Sequence, residues 1–556
     1  IFNGGDKLRL EPHDKVLVVG SNNAGKSQFL RDIVTIIGSH DGQRDVHPIV
    51  LNELQIAKNF DENRLDEIIE QHSYREDQNN YYLRGTSINF GFKRAIVKER
   101  FLPRNSHRLF VNNIAADQRL GTTQIQNSIG PSEDKTKPQH FLYDSETLMA
   151  EISDLFKTAF DKELMIDFRS GNKIPIHVGQ IPVGKDYIDR VGDKYVSEVR
   201  KHPRLDQQGD GMRSYAGILF EAIATKFDIT LIDEPEAFLH PPQMRKLGAT
   251  LANFSQGQLL VATHSSDILR GFLDGTGGNI RVVRIIRDGD VNRIFEATPP
   301  VVKALWEKPQ LRFSNAFDSL FHEQSLLCED DSDCRLFNAV AEHLSETDAT
   351  RWPDTSYVPT GGKHSIPALA EALRVVGVRI KAVLDIDILS EEALLKKTIN
   401  AFGGDWTIFE TDWKQLDAAV RKGVKPDSPA EIKSKLQAAI GKVGGDELPR
   451  IKELEDILKQ NKPWRIVKHV GADALPKGKI RKVFEQLVSN LSSLGIYVIK
   501  TGEIESLAPL VGNHGPKFVT TLLSEFQLDD PSLEALRKFT ELVHKGPSAK
   551  LPGVTP

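Results

Sequence analysis

This chain is poor in cysteine, with Cys328 and Cys334 its only two thiols in 556 residues. That excludes a disulfide framework or a multi-cysteine zinc or iron–sulfur centre and fits a reducing, cytoplasmic setting. Neither thiol has a local histidine partner, so both read as small packing residues, not nucleophiles. No apolar stretch approaches the ~20 residues that a membrane helix needs, and no signal-peptide pattern stands at the start. The chain opens on Ile1 without a methionine, so residues preceding it are expected. Internal repeats and long low-complexity tracts are absent. Basic residues are not in excess: 72 Lys and Arg stand against 77 Asp and Glu, a formal net charge of −5. A histone-like basic coat is thereby excluded, whereas local nucleic-acid sites are not, because they depend on patches and not on the sum.

A hydrophobic fraction of 39% and a charged fraction of 27% support ordinary cores. At ~100–200 residues per domain, the length allows two large units or a few smaller ones. Buried-strand runs stand at Val16–Val19, Ile229–Ile232 and Gln258–Ala262 in the first half. In the second half they stand at Ser325–Cys328, Ile380–Leu384 and Gly495–Ile499. Asp288-Gly289 between two apolar runs predicts a hairpin, and Glu146 to Phe160 a helix. An α/β chain of two modules results: residues 1–305, with an irregular elaboration at about 40–200, and residues 306–556, with a helical insertion at about 390–485.

The strongest signal is Gly20-Ser-Asn22-Asn23-Ala24-Gly25-Lys26-Ser27, directly after an apolar strand and before a helix. Backbone N–H groups there can cradle phosphates, Lys26 can neutralise the β- and γ-phosphates, and Ser27 can hold Mg²⁺. A second strand ends in Asp233-Glu234-Pro235. Asp233 suits the metal side of an ATP site, and Glu234 suits positioning the attacking water. His264 follows a third strand, within reach of a γ-phosphate. Gly209 to Ser214 precede an amphipathic helix and offer a phosphate-facing junction, with Gly211 and Ser214 as its contact residues.

Glu329 and Asp333 close one strand of the second half, and Asp385-Ile-Asp387 closes another. Period-2 spacing puts Asp385 and Asp387 on one strand edge. Oxygen ligands of this kind hold Mg²⁺ or Mn²⁺ for phosphodiester chemistry. Two basic stretches, residues 91–108 and Lys477–Lys482, could follow a phosphate backbone.

The first set of motifs, in this order, resembles the ATP-binding-cassette heads of the SMC and DNA-repair type. Asp233-Glu-Pro-Glu-Ala-Phe-Leu-His-Pro241 is especially similar to the overcoming-lysogenization-defect (OLD) ATPases. The second set resembles the Toprim fold of topoisomerases, primases and OLD nucleases. The resemblance implies that Gly209 to Ser214 is a signature loop closing over ATP on a second subunit, hence at least a homodimer. It implies a Q-loop residue, Gln118 or Gln124. It makes Glu329, Asp333, Asp385 and Asp387 metal ligands or general base, Glu505 in Gly502-Glu-Ile-Glu505 the ligand of a second metal, and Lys517 a leaving-group stabiliser. Two departures stand out: the signature loop is not Leu-Ser-Gly-Gly-Gln, and Asp330 replaces the glycine usual after the glutamate. The implied activity is an ATP-gated, metal-dependent DNA endonuclease of antiphage defence. The implied partners are DNA and a helicase-like protein or a retron reverse transcriptase with its RNA–DNA. Alternatives are an ATP-driven sensor or scaffold whose Toprim domain does not cut, and an RNA-cleaving toxin.

Overall fold

Runs of β-branched and leucine residues with no polar alternation need cover on both faces, which a parallel sheet between helices supplies. The computed structural model describes residues 1–38, 47–57, 63–67, 74–75, 80–83, 86–89, 95–97, 107–130, 133, 135–185, 189–225, 227–254, 257–312, 315–424, 428–441, 454 and 462–552. Its contacts divide into two units, Ile1–Arg312 and Phe313–Pro556.

In the first unit the three apolar runs become β1 (Lys15–Val19), β3 (Ile229–Asp233) and β4 (Gln258–Ala262); β2 (Val111–Ile114), unmarked in the sequence reading, precedes β3, and β5 (Arg281–Asp288) and β6 (Val291–Ala297) follow. They form one sheet in the order β6-β5-β1-β4-β3-β2. All neighbours run parallel except β5 and β6, the hairpin that Asp288-Gly289 predicts. Val16 to Val19 are wholly buried at 0% exposure, as a central strand requires. Helix α1 (Lys26–Gly38) buries Phe29, Leu30, Ile33 and Ile37 on one stripe against this sheet. The helix read at Glu146 to Phe160 forms with those limits, capped by Ser145, whose hydroxyl accepts from the Leu148 N–H.

The second unit is built on a four-stranded, fully parallel sheet of β7 (Gln324–Cys328), β8 (Thr355–Pro359), β9 (Arg379–Asp385) and β10 (Ile496–Ile499), in the order β8-β7-β9-β10. Strand order reverses between β7 and β9, and the crevice at the carboxyl ends beside such a switch is where open α/β sheets bind ligands. Glu329 and Asp385 sit at those two ends. Helices Glu392–Ala401, Trp406–Gly423, Pro429–Gly441, Pro463–Val470 and Lys479–Ser493 lie in the chain between β9 and β10. Cys328 and Cys334 are free and buried in this unit's core, where they pack with Leu326, Phe337 and Phe518.

Candidate functional site

The turn after β1 is shaped by backbone that only some residues tolerate. Gly20 has φ +147°, and a Cβ there would lie 2.4 Å from the Ile285 carbonyl oxygen. Asn23 and Gly25 are also left-handed, at φ 61° and 98°. Asn22 and Asn23 are exposed, whereas Ala24 is buried and its carbonyl accepts from Asn292 Nδ2 at 2.8 Å. Lys26 is buried, and its Nζ donates to the carbonyls of Gly20 at 2.8 Å and Ser21 at 2.9 Å. Burial pulls this ammonium down to about 8, opposed by Glu236, Glu234 and Asp233. Ser27 Oγ donates to Asp233 Oδ1 at 2.8 Å. Burial pushes the Asp233 carboxyl up, and the Ser27 hydrogen bond works against that.

Glu234 turns the chain out of β3 with φ 47°, a conformation costing an ordinary residue about 1 kcal/mol. Its N–H donates to the Ala262 carbonyl at 2.9 Å, and its own carbonyl accepts from Arg119 Nη2 at 2.6 Å. His264 Nε2 lies 3.6 Å from Glu234 Oε1. Burial, then the charge of Lys26, lowers His264 to about 4, so the imidazole is neutral near pH 7. Glu236 ties the turn to the end of β4, accepting from Thr263 Oγ1 at 2.9 Å and from the His264 N–H.

The structure thus brings Lys26, Ser27, Asp233, Glu234 and His264 to the carboxyl ends of three adjacent strands. Two of its residues escaped sequence reasoning, Arg119 and Glu236. Arg119 is 1% exposed, near Glu236, Asp233 and Glu234. A lone arginine in an irregular region carries no local signal. Glu236 was legible only as part of the Asp-Glu-Pro-Glu string.

Two expectations in this unit are corrected, the loop position of Gly211 and Ser214 and the outward-facing role of Ser214. Helix α2 (Asp210–Leu219) begins immediately after Gly209, so Gly211 and Ser214 lie inside it and not on a loop. Ser214 is fully buried and its hydroxyl donates to the Ala237 carbonyl at 3.2 Å, so it does not face outward towards a nucleotide. Gly211 is a glycine because a Cβ would lie 2.8 Å from the Phe238 carbonyl oxygen. Gln118 and Gln124 are exposed, and neither side chain has a bond to the ATP-site residues.

In the second unit the carboxylates converge. Burial, then the charges of Asp385 and Asp387, lifts Glu329 to about 7. Asp333 is also lifted to about 7, by burial and then by Asp330. Burial lifts Asp385 to about 6 against the pull of Lys468. Lys468 Nζ lies 2.8 Å from Asp385 Oδ2 and 3.2 Å from Asp387 Oδ2. Lys363 Nζ lies 3.2 Å from the same Asp387 oxygen and 2.9 Å from Glu391 Oε1. Glu329 Oε1 and Asp387 Oδ1 are buried without a hydrogen-bond partner.

Two local details differ from the sequence reading. β9 stops at Asp385, and Asp387 lies on a 3-10 turn, Ile386–Ser390. The aspartates are therefore gathered by Lys468 and not by strand periodicity. Asp330 is the N-cap of α3 (Asp331–Thr347): its Oδ1 accepts from the Asp333 N–H at 3.0 Å, while Asp333 Oδ2 accepts from the Asp330 N–H at 3.4 Å. Its φ of −136° needs no glycine.

Glu505 accepts from the Gly515 N–H at 2.7 Å, and His514 Nδ1 lies 3.5 Å from its Oε1. Lys517 stands exposed on the first turn of α5 (Pro516–Glu525). Lys468 escaped sequence reasoning because it comes from α4 (Pro463–Val470), far along the chain from the aspartates. Of the two basic stretches, residues 91–94 and 98–106 lie outside the described residues, whereas Lys477, Lys479 and Lys482 are exposed. No described helix is long and apolar enough to cross a membrane.

Residues 16–270 match the family model described as "AAA domain, putative AbiEii toxin, Type IV TA system". A curated relative, the Old nuclease of Escherichia phage P2, is 22% identical over 170 residues, covering 29% of this chain and 28% of its own length. The chain therefore aligns with less than a third of that relative. The resemblance to OLD-type proteins read from the motifs is borne out by this match. Among solved structures, an SMC head bound to the C-winged helix domain of ScpA is 14% identical, covering 51% of this chain and 90% of its own, with a TM-score of 0.32. A Pyrococcus furiosus Smc head with an extended coiled coil, bound to the C-terminal domain of ScpA, is 11% identical, covering 53% and 92%, with a TM-score of 0.32. At such scores neither adds to the fold described above.

Proposed function

We infer that the chain belongs to the OLD nuclease family, and we propose that it is an ATP-binding and ATP-hydrolysing, metal-dependent DNA endonuclease. The observation that carries the nuclease reading is the pair of buried, unpartnered oxygens, Glu329 Oε1 and Asp387 Oδ1, beside the Asp385–Lys468 pair. Buried lone pairs need a partner, and hard oxygen donors suit Mg²⁺ or Mn²⁺. Such an ion, when bound, activates water and offsets charge on the leaving oxygen of a phosphodiester. Glu329, Asp333, Asp385 and Asp387 would hold it, with Toprim-like placement at the ends of parallel strands. Lys363 and Lys468 keep the aspartates apart from bulk water and oriented. Lys517, exposed on the first turn of α5, would stabilise the leaving group.

In the first unit, Lys26 would exchange its turn carbonyls for the β- and γ-phosphates of ATP. Ser27 and Asp233, already paired, would hold the nucleotide's Mg²⁺. Glu234 would orient the attacking water, its backbone fixed by Arg119 and its carboxylate flanked by neutral His264. Paired heads in a homodimer would gate the nuclease, in a defence role with a helicase-like or retron-type partner. Asp330, standing where the resembled family usually has glycine, is what motivates the non-cutting alternative. That residue caps a helix, and Glu329 Oε1 and Asp387 Oδ1 still lack a partner for a metal to supply, which favours cutting. The test is plasmid DNA with Mg²⁺ or Mn²⁺, with and without ATP, run beside transfer RNA. DNA left intact under every condition excludes the reading, and cleavage of transfer RNA alone supports the RNA-cleaving alternative.

A further inference from the structure

A side chain from β6 is built into the turn that follows β1. Asn292 is 2% exposed, and its Nδ2 donates to the Ala24 carbonyl at 2.8 Å. Its Oδ1 accepts from Asn3 Nδ2 at 3.2 Å, while its backbone N–H donates back to Asn3 Oδ1. Asn3 Nδ2 also reaches the carbonyls of Ile49 and Asp290, each at 2.9 Å. The two amides hold each other in one orientation. Flipping Asn292 would set its oxygen against the Ala24 carbonyl and its nitrogen against the Asn3 donor. Two glycines make room for it. A Cβ on Gly4 would lie 2.5 Å from the Asn292 carbonyl oxygen, and one on Gly25 would lie 3.0 Å from Asn292 Nδ2.

The bond to Ala24 fixes more than a carbonyl. In a planar trans peptide the C=O and the following N–H point in opposite directions. A carbonyl held towards Asn292 therefore turns the Gly25 N–H to the other side of the turn. That N–H makes no hydrogen bond among the described residues. A peptide plane flips by changing ψ of the residue before it and φ of the residue after it. Glycine in the second place makes the flip cheap, so this plane needs a holder.

We propose that Asn292 is a positioning residue of the phosphate-binding turn. It holds the Ala24–Gly25 peptide plane with the Gly25 N–H turned to where a phosphate of ATP binds, and Asn3 locks the Asn292 amide for that task. Asn292 acts through the peptide and not on the nucleotide. An N–H oriented before the nucleotide arrives costs nothing to orient on binding, which is how a fixed turn gains affinity over a loose one. The inference rests on the ATP-site reading for what the N–H meets, not for how the peptide is held.

The sequence supplies the probe. Alanine is followed by glycine at two places, Ala24-Gly25 and Ala216-Gly217. With carbonyl-¹³C alanine and ¹⁵N glycine in the deuterated full chain, an amide–carbonyl correlation spectrum holds two cross-peaks, and Ala24→Ser identifies the first by its loss. The nucleotide-free native protein is expected to give a sharp Gly25 cross-peak that moves when a non-hydrolysable ATP analogue is added. Asn292→Ala should broaden or split that cross-peak before any nucleotide is present and leave the Gly217 cross-peak unchanged. It should also weaken binding of a fluorescent ATP analogue about fivefold, the scale of one net hydrogen bond. Asn292→Asp keeps the shape but has no Nδ2 to donate, so it should behave likewise. Asn3→Ala leaves that donor in place and should broaden the cross-peak less. A Gly25 cross-peak and an affinity unchanged in Asn292→Ala or Asn292→Asp overturn the proposal, even if thermal stability falls, because Asn292 would then only pack. A native Gly25 cross-peak that no nucleotide moves contradicts the ATP reading instead, and the broadening in the variants still decides whether Asn292 holds the peptide.

Discussion

The Lys468 ammonium sits 2.8 Å from Asp385 Oδ2, joining a helix of the insertion to the end of a sheet strand. Burial opposes its charge, yet Asp385 and Asp387 lift it above the ordinary lysine range. Lys468→Met should therefore leave two repelling aspartates. The metal-free protein is expected to lose about 1–3 kcal/mol in urea unfolding, below the full buried-pair value because the groups are partly open to water. Saturating Mn²⁺ should close most of that gap. An equal loss with and without the ion would contradict the assignment of the aspartates as ligands.

Metal binding should release protons. Glu329 and Asp333 titrate at about 7 and Asp385 at about 6, above the ~4 of unfolded carboxyls. Between those values the folded protein holds protons that the unfolded chain has lost. Their stabilising effect is complete below about pH 4 and is lost as the pH rises through about 7. Mn²⁺ must expel those protons to bind. Calorimetry near pH 6.5 in two buffers of different ionisation enthalpy should register net proton release, fading above about pH 8. Equal heats in both buffers would count against a carboxylate site.

Asp330 is predicted to matter for helix stability and not for cutting. Asp330→Ala removes the N-cap of α3 and should cost about 1 kcal/mol, whereas Asp330→Gly should cost only a few tenths. Both should cleave at the native rate once folded. Thermal unfolding with a plasmid assay separates the outcomes, and a cleavage defect in Asp330→Gly would place this acid among the metal ligands.

Arg119→Ala should lower ATP turnover while leaving nucleotide affinity nearly intact, because it holds the Glu234 carbonyl and, among the described residues, makes no hydrogen bond to the P-loop. Lys26→Ala should instead abolish binding of a fluorescent ATP analogue. Loss of binding in both variants would show that Arg119 acts on the whole fold and not through Glu234.

Much of the scaffold was legible because it is written in unbroken apolar runs, and a strand buried on both faces tolerates little else. Val16 to Val19 and Gln258 to Ala262 became adjacent strands in register, Leu17 opposite Val261. The strand-end acids were legible for the same reason, since a carboxylate closing such a run has few places to go. Arg119, Glu236, Lys363 and Lys468 were not. Each reaches its partner across loops or from a distant helix, and no local spacing encodes that meeting. Ser214 was misplaced because the loop-to-helix junction comes one residue after Gly209, a boundary that composition does not mark.

Plasmid cleavage by the native, Asp385→Ala and Glu234→Gln proteins, side by side with Mn²⁺ and ATP, tests the two-site account most directly. The account predicts nicking by the native protein and none by Asp385→Ala. Glu234→Gln should bind ATP yet hydrolyse it at least ~100-fold more slowly, as loss of a general base implies, and its nicking should no longer change as ATP is consumed. Nicking by Asp385→Ala at the native rate would contradict the account.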